Sequence, residues 1–108
     1  MRRRRVEFLP TANRDLASIA RFLVSIGASV RTSERYVRSL RARCAKIGDL
    51  PYVGTAHDEL LPGLRTLGYK RSARITFRVL PDRVQIVNVF YGGRDIDGFY
   101  HRQRGEND

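Results

Sequence analysis

The amino-acid sequence predicts an α+β domain in which an N-terminal helical hairpin packs on a small, mostly antiparallel sheet, in the order β-α-α-β-β-β. Three observations favour this fold class. Two segments of the first half repeat apolar residues at three- and four-residue spacing, as amphipathic helices do. Two segments of the second half are extended apolar runs joined by a short turn. The length of 108 residues is that of one domain, so we assign residues 1–108 to a single domain with a flexible tail at 103–108.

The first strand and the first helix are predicted from the start of the chain. Val6 to Leu9 is a short extended segment that ends at Pro10, and Thr11 or Asn13 is available to cap the helix that follows. The apolar stripe of this helix consists of Leu16, Ile19, Ala20, Leu23 and Ile26. Gly27 marks the end of the helix, since glycine readily adopts the left-handed conformation of a helix terminus.

A second amphipathic helix follows after a short connection. Its apolar stripe consists of Val30, Val37, Leu40, Cys44 and Ile47, and its outer face carries Arg31, Arg35, Arg38 and Arg41. It stops at Gly48. Only the residues from Gly27 to Thr32 join the two helices, so they are expected to pack antiparallel as a hairpin and to turn their stripes toward the sheet.

Two strands are predicted between residues 64 and 80. Leu64 to Leu67 is a short strand, and Ala73 to Leu80 alternates between two faces. Ile75, Phe77 and Val79 lie on one face, and Arg74, Thr76 and Arg78 lie on the other. We expect the apolar face to meet the helices and the arginine face to remain open to solvent or to a ligand.

The last strand is predicted to be central in the sheet. Val84 to Tyr91 is almost continuously apolar, with Asn88 as the exception, and such a run is typical of a strand that is covered on both faces. Pro81, Asp82 and Arg83 form the turn before it. Gly92 and Gly93 end the strand, and Asp97 to Arg102 is expected to form a last helical turn.

The connection from Asp49 to Pro62 is long for a small domain, and such loops are usually functional or disordered. This one carries His57, Asp58 and Glu59, which could serve a site. We nevertheless interpret it as a packed cover over one sheet edge, held in place by Tyr52 and Val53.

Composition and charge limit the partners. The chain has 21 Lys plus Arg against 11 Asp plus Glu, a formal net charge of +10, which attracts polyanions or an acidic protein. A single cysteine, Cys44, cannot form an internal disulfide, and its place in an apolar stripe favours a core residue. The apolar stretch after the basic start is too short for a signal peptide or a membrane span, so we expect a cytoplasmic protein without membrane contact.

Three segments of the second half carry a resemblance to a known family. They are Gly54 with Glu59 to Arg65 (ELLPGLR), Arg74 to Val79 (RITFRV) and Val87 to Asp95 (VNVFYGGRD). In this order the chain resembles the ParE and RelE toxins of type II toxin–antitoxin pairs from Val6 to about Tyr100, and the ParE-like branch more than the other. The resemblance implies a toxin that inhibits DNA gyrase by direct binding and is neutralised by a cognate ParD-like antitoxin, whose binding segment we expect to be amphipathic and acidic.

A strand face that carries Arg74 and Arg78 without nearby acids indicates which residues bind the target or the antitoxin, although the arginines could instead pair with Asp58, Glu59, Asp82 or Asp95. They are Arg65, Arg74, Arg78, Tyr91 and Arg94; many ParE-like sequences have a histidine where this chain has Tyr91. Inhibition by binding needs no catalytic residue and no cofactor. Two histidines and one cysteine, widely spaced, also give no metal-ligand pattern.

Two alternatives remain open at this stage. A RelE-like, ribosome-dependent messenger RNA endoribonuclease would use Arg74, Arg94 and Tyr100, with His57, Glu59 and His101 as candidate acids and bases. The lysines expected before the last strands in that branch are absent, and Leu60, Leu61 and Pro62 fill the region, which favours a protein target. The second alternative is a non-toxic basic module that binds nucleic acid directly; it lacks the stacking aromatic pattern of single-strand binders and is not favoured.

Overall fold

The computed structural model describes residues 3–103 and 105, and it confirms the α+β class. Its elements are β1 (Arg5–Phe8), α1 (Pro10–Ser25), α2 (Val30–Ala45) with a 3-10 turn at Lys46–Gly48, β2 (Thr55–Ala56), β3 (Leu64–Tyr69), β4 (Ala73–Val79), β5 (Arg83–Tyr91) and α3 (Ile96–Gln103). The predicted order is therefore extended by β2 and by a longer C-terminal helix. Apart from Gln103 and Gly105, the predicted tail 103–108 lies outside the described residues.

The five strands form one sheet in the order β1-β5-β4-β3-β2. Only the β1–β5 pair is parallel, and the other neighbours are antiparallel. A β-bulge interrupts the β4–β5 ladder, where Thr76 pairs with Asn88 and Phe77 with Ile86, so that Val87 is the extra residue. As predicted, β5 is an inner strand with both faces covered: Ile86 packs in the core beside the helices, and Phe90 packs in a second cluster on the opposite face.

Helix α1 begins at Pro10, ahead of both predicted caps, so the prediction of Thr11 or Asn13 as N-cap was wrong. The capping position is Leu9, without a side-chain hydrogen bond, and Pro10 is the first helical residue. Proline is suited to this place because it lacks the N–H that would be unpaired and its φ is already helical. The predicted stop is confirmed, since Gly27 has a φ of +114°. Ile26 lies beyond the last turn and is 61% exposed, not part of the core.

Helix α2 is capped by Ser29, whose hydroxyl oxygen accepts a hydrogen bond from the Thr32 backbone N–H at 3.0 Å. Leu40 and Cys44 are fully buried as predicted, and burial raises the pKa of the Cys44 thiol to about 12, as expected of an inert core thiol. Val30, at the first turn, is exposed instead. The four outer arginines are all exposed.

The long connection covers the edge of β3, as predicted, but Tyr52 does not hold it. Tyr52 is 65% exposed, whereas Pro51 is buried. Strand β2 pairs with β3, and the Arg65 guanidinium donates to the carbonyl oxygens of Tyr52, Val53 and Gly54 at 2.7, 3.0 and 3.3 Å. A β-carbon on Gly54 would lie 2.1 Å from the carbonyl oxygen of Thr66, so only glycine allows this approach.

The arginine face of β4 is not open along its whole length, which corrects the prediction. Thr76, in its middle, is fully buried, because α3 and residues 60–64 cover this face with a second apolar cluster. That cluster consists of Leu60, Leu64, Phe90 and Tyr100. Arg74 remains exposed at one end of the face and Arg78 is half-buried at the other. The strand also ends at Val79, one residue before Leu80.

Candidate functional site

A polar groove lies on the α3 side of the sheet, and we call it the sheet-side groove. It has a volume of about 310 Å³ and is lined by His57, Leu60, Thr66, Arg74, Arg94, Asp95, Ile96 and Asp97. The structure therefore brings together Arg74 and Arg94, two of the predicted binding residues, with candidate acid–base residue His57. It also places two carboxylates beside them, so a partner here meets charges of both signs.

The two groove arginines are held loosely. Arg74 approaches the Thr66 hydroxyl at 3.5 Å, the outer limit of a hydrogen bond, and the Arg94 guanidinium carbon lies 5.8 Å from the centre of the Phe90 ring. Within the part of the chain that the structure describes, neither forms an ion pair shorter than 4.0 Å. Both guanidinium groups are thus available to a carboxylate or a phosphate, which arginine can grip through two parallel hydrogen bonds.

Arg94 owes its position to the exit from β5. Gly92 has a φ of +74°, a left-handed conformation that favours glycine, and its N–H donates to the Ser72 carbonyl oxygen at 2.8 Å. Asp95 then caps α3, because its carboxylate accepts a hydrogen bond from the Gly98 N–H at 3.0 Å. The Gly-Gly-Arg-Asp segment therefore presents Arg94 between the end of the strand and the start of the helix.

Tyr100 lies in the interior and not in the groove. Its side chain is 4% exposed; its hydroxyl donates to Asn88 Oδ1 at 2.9 Å and lies 2.6 Å from the Thr76 hydroxyl. Burial raises the pKa of Tyr100 to about 12. Tyr100, which the endoribonuclease alternative would use, is therefore buried outside the sheet-side groove, and its raised pKa makes it a weaker acid than an ordinary tyrosine.

The Tyr100 contact belongs to a polar network that crosses the sheet. Asn88 Nδ2 donates to Asp15 Oδ2 at 2.8 Å, and the Val89 N–H donates to the same oxygen at 2.9 Å. The network thus joins α3, β4, β5 and α1. Asn88, the exception in the apolar run of β5, is the residue through which these elements are connected.

The remaining candidate acids and bases are distributed unevenly. His57 lines the groove, and its Nδ1 lies 2.9 Å from the Glu59 carboxylate, a contact that lowers the pKa of Glu59. His101 is exposed on α3 and does not line the groove. The structure therefore leaves His57 as the one residue of this set in the sheet-side groove.

Arg65 and Arg78 lie away from the sheet-side groove. The Arg65 guanidinium is occupied by the three carbonyl oxygens of the loop and also lies 5.7 Å from the Tyr52 ring centre. Arg78 lies beside Gly63, and its Nε is buried without a hydrogen-bond partner among the described residues. Their roles in target or antitoxin binding stay predictions, and the contacts of Arg65 give it a structural task in addition.

A second groove lies between α1 and the end of β5, and we call it the helix-side groove. It has a volume of about 250 Å³ and is lined by Asp15, Ser18, Ile19, Phe22, Val89, Tyr91 and Arg94. The Tyr91 ring packs against Phe22 and Tyr36, each with ring centres 5.8 Å apart. Arg94 lines both grooves, so it stands on the ridge between them.

The sequence reasoning missed Phe22. It lies next to the apolar stripe of α1 without belonging to it, and it is 48% exposed. Three more exposed apolar residues, Val24, Ile26 and Val30, stand at the same end of the helical hairpin, and together with Phe22 we call them the hairpin-tip patch. The sequence did carry a signal, namely large apolar residues on a helix beside its buried stripe. Exposed apolar patches of this kind commonly mark interaction surfaces.

The described part of the chain has neither a metal-binding cluster nor a membrane-spanning helix. Within residues 3–103 and 105, no three His, Cys, Asp or Glu side chains group closely enough to hold a metal ion. None of the helices in the same residues has the length and apolarity needed to cross a membrane.

Comparison with solved structures shows which proteins share this fold. A chain from the chromosomal ParDE toxin–antitoxin system of P. aeruginosa superposes with a TM-score of 0.70 over 82% of this chain and 95% of that chain, at 20% identity. A chain from the toxin–antitoxin complex RelBE2 of Mycobacterium tuberculosis gives a TM-score of 0.64 over 84% of this chain and 100% of that chain, at 19% identity. The fold, with its helical hairpin on a five-stranded sheet, is that of the ParE and RelE toxins.

The family follows from the sequence match. The model of the family described as "ParE toxin of type II toxin-antitoxin system, parDE" matches residues 6–96, and the chain belongs to this family. No curated protein sequence matches the chain. The resemblance predicted from the Gly54, Arg74 and Val87 segments is therefore confirmed.

Proposed function

We propose that this ParE-family toxin inhibits DNA gyrase by direct binding and that a cognate ParD-like antitoxin neutralises it in the cytoplasm. The observation that supports binding over catalysis is the burial of Tyr100, which removes from the sheet-side groove a residue that the nuclease alternative would use. Arginine is a poor acid because its pKa exceeds 12. Arg74 and Arg94 therefore suit recognition of anionic groups better than proton transfer.

The charges of the groove favour a protein as the target. Arg74 and Arg94 lie beside Asp95 and Asp97. The two carboxylates offset the two cations and so weaken the attraction of the groove for a bare polyphosphate, whereas a protein surface can present groups of both signs. Mutation of Arg74 and Arg94 is accordingly expected to weaken inhibition.

The antitoxin is assigned to the other face. The helix-side groove is lined by the apolar side chains of Ile19, Phe22 and Val89 together with Arg94, and Phe22 is also part of the exposed hairpin-tip patch. An amphipathic acidic segment would cover the apolar residues and pair with the arginine together. Since Arg94 lines both grooves, antitoxin and gyrase would compete for it. Binding of the antitoxin would therefore prevent Arg94 from contacting gyrase and so neutralise the toxin.

The proposal is tested with one purified preparation in two assays. Gyrase supercoiling of plasmid DNA and ribosome-dependent cleavage of messenger RNA are measured side by side, with and without the co-purified cognate antitoxin. Loss of supercoiling with intact RNA, reversed by the antitoxin, is the expected result. Cut RNA with normal supercoiling would overturn the proposal.

The antitoxin surface has its own variant and control. Phe22→Ser removes an exposed apolar side chain from the helix-side groove, and Leu50→Ser removes one that is 60% exposed on a different surface. We expect Phe22→Ser to weaken antitoxin binding at least tenfold while Leu50→Ser leaves it within a factor of about two, since anchor residues in an interface commonly contribute more than 1.4 kcal/mol. Equal effects of the two variants would argue against this surface.

One observation favours a second candidate function, a ribosome-dependent endoribonuclease. His57, Arg74 and Arg94 line a single groove, which supplies an imidazole and two phosphate-binding cations. This mechanism predicts that His57→Ala abolishes RNA cleavage while the fold survives. If wild-type protein cleaves RNA and the His57 variant does not, the nuclease assignment replaces gyrase inhibition.

A further inference from the structure

The turn between β3 and β4 has an unusual backbone for its residues. Lys70 and Arg71 have φ values of +48° and +58°, and they are the only non-glycine residues with positive φ in the described part of the chain. The Ser72 N–H closes the turn on the Tyr69 carbonyl oxygen at 2.9 Å. Two successive left-handed residues characterise type I′ turns, where Asn-Gly is preferred because side chains with a full β-carbon are strained.

The strained turn carries two unpaired positive charges. Lys70 and Arg71 are both exposed, and within residues 3–103 and 105 neither forms an ion pair. The Lys70 ammonium lies 5.2 Å from the centre of the buried Tyr69 ring, which fixes its direction. The two-residue hairpin imposes this left-handed backbone, but the chain places two cations where Asn-Gly would be the less strained choice.

The surroundings of the turn are open to a large ligand. Gly68 precedes it, and Gly92 and Gly93 lie at the adjacent end of β5, where the Gly92 N–H is bonded to Ser72. A β-carbon built on any of these three glycines would meet no heavy atom within 4 Å. Arg74 follows on the same hairpin, about 10 Å from Arg71 at the rise of an extended chain, and is exposed.

We propose that this turn binds the phosphate backbone of duplex DNA, with Lys70 and Arg71 as the contacting cations and Arg74 beside them. The turn has no carboxylate that would repel a phosphate. It also has no exposed apolar side chain that could anchor an acidic protein segment. A duplex offers regularly spaced phosphates to a narrow cationic edge. The contact adds to the proposed gyrase inhibition, because the toxin would meet the enzyme together with its DNA, and it does not depend on that function, since DNA binding is measurable without gyrase.

The test uses a substitution that relieves the turn while it removes the charges. Lys70→Asn combined with Arg71→Gly installs the preferred turn residues, so the melting temperature is expected to rise. Binding to a short fluorescent duplex of arbitrary sequence is measured between about 50 and 200 mM salt. The slope of log K against log salt is negative, and each lost phosphate contact makes it less steep by about 0.9. The magnitude of the slope is expected to fall by about 1.8 for the two lost contacts.

A matched variant separates a local contact from a change in net charge. Arg31→Gln with Arg35→Gln removes two charges from the outer face of α2 and is expected to leave the slope within about 0.5 of wild type, since neither side chain would contact a phosphate. Lys70→Gln with Arg71→Gln removes the turn charges without changing the turn type, and must give the same loss as the Asn-Gly variant.

Three results would overturn the proposal. Wild-type protein that does not bind the duplex, turn variants that keep the wild-type slope, or a helix variant with the same loss as the turn variants each contradict it. Weaker binding to isolated gyrase with unchanged affinity for DNA would assign the turn to a protein partner instead.

Discussion

Replacing Tyr100 with phenylalanine removes one buried hydroxyl and separates a structural role from a catalytic one. In the wild type this group donates to Asn88 Oδ1 at 2.9 Å and lies 2.6 Å from the Thr76 hydroxyl. Without it, Asn88 Oδ1 stays buried with no donor, whereas Thr76 still accepts from the Asn88 N–H at 3.1 Å. One buried polar atom left unsatisfied costs about 1–3 kcal/mol, which lowers the melting temperature by about 4–12 °C for a domain of this size.

The assay combines thermal unfolding with gyrase inhibition at a temperature where both proteins are folded. We expect the Tyr100→Phe variant to melt earlier and to inhibit supercoiling like the wild type per folded molecule. Tyr52→Phe is the control, because Tyr52 is 65% exposed and surface substitutions usually change stability by less than about 0.5 kcal/mol. An unchanged melting temperature together with lost toxicity would refute the structural role and restore Tyr100 as a catalytic candidate.

Three further predictions follow from the same structure. Burial raises the pKa of Tyr100 from 10.0 to about 12, so above pH 10 this tyrosine ionises in the unfolded chain before it ionises in the folded one. Between those two values the free energy of unfolding of the wild type should fall, relative to that of Tyr100→Phe, by up to about 1.4 kcal/mol per pH unit. Equal pH dependence of the two melting temperatures would contradict this. Gly54→Ala should lower the free energy of unfolding, measured with denaturant, by at least about 2 kcal/mol, because the new β-carbon would lie 2.1 Å from a carbonyl oxygen. Gly68→Ala is the control and should change stability little, since a β-carbon there meets open space. Similar losses in the two variants would show that the close approach at Gly54 is unimportant. Arg94→Ala should weaken both gyrase inhibition and antitoxin binding, measured by supercoiling and by titration, whereas Arg74→Ala should weaken inhibition alone; the reverse pattern would contradict the assignment of the two grooves.

The helices and β5 could be predicted from sequence because their signal is local. The spacing of Leu16 and Ile19 on one helix, and of Leu40 and Cys44 on the other, specifies a buried face without knowledge of what covers it. The continuous apolar run of β5 likewise indicates two covered faces. In each case the residues needed for the inference are neighbours in the chain.

The covering of β4 could not be predicted in this way. Thr76 alternates with apolar residues and looks solvent-facing, but α3 returns from more than twenty residues downstream to place Tyr100 over it. Alternation of polar and apolar residues along a strand indicates which residues share a face of the sheet. It does not indicate which other elements pack on that face. The wrong prediction for Thr11 has a different cause, since Pro10 starts the helix without a side-chain cap.

The candidate site was predictable only in part. The family resemblance indicated Arg74 and Arg94, which the fold brings into one groove. Arg65 could not be recognised as a loop anchor, because its partners are backbone carbonyls, which leave no signature in the sequence. Phe22 was missed because a half-exposed aromatic residue on a helix is also compatible with ordinary packing.

The most direct test of the central claim is the stoichiometry of gyrase inhibition. Toxin is titrated against supercoiling at several fixed gyrase concentrations, and each mixture is sampled over time. A binding inhibitor predicts a midpoint that rises in proportion to gyrase once gyrase exceeds the dissociation constant, and an extent of inhibition that does not grow with incubation. A midpoint far below the gyrase concentration, with inhibition that increases steadily with time, would show turnover and contradict inhibition by binding.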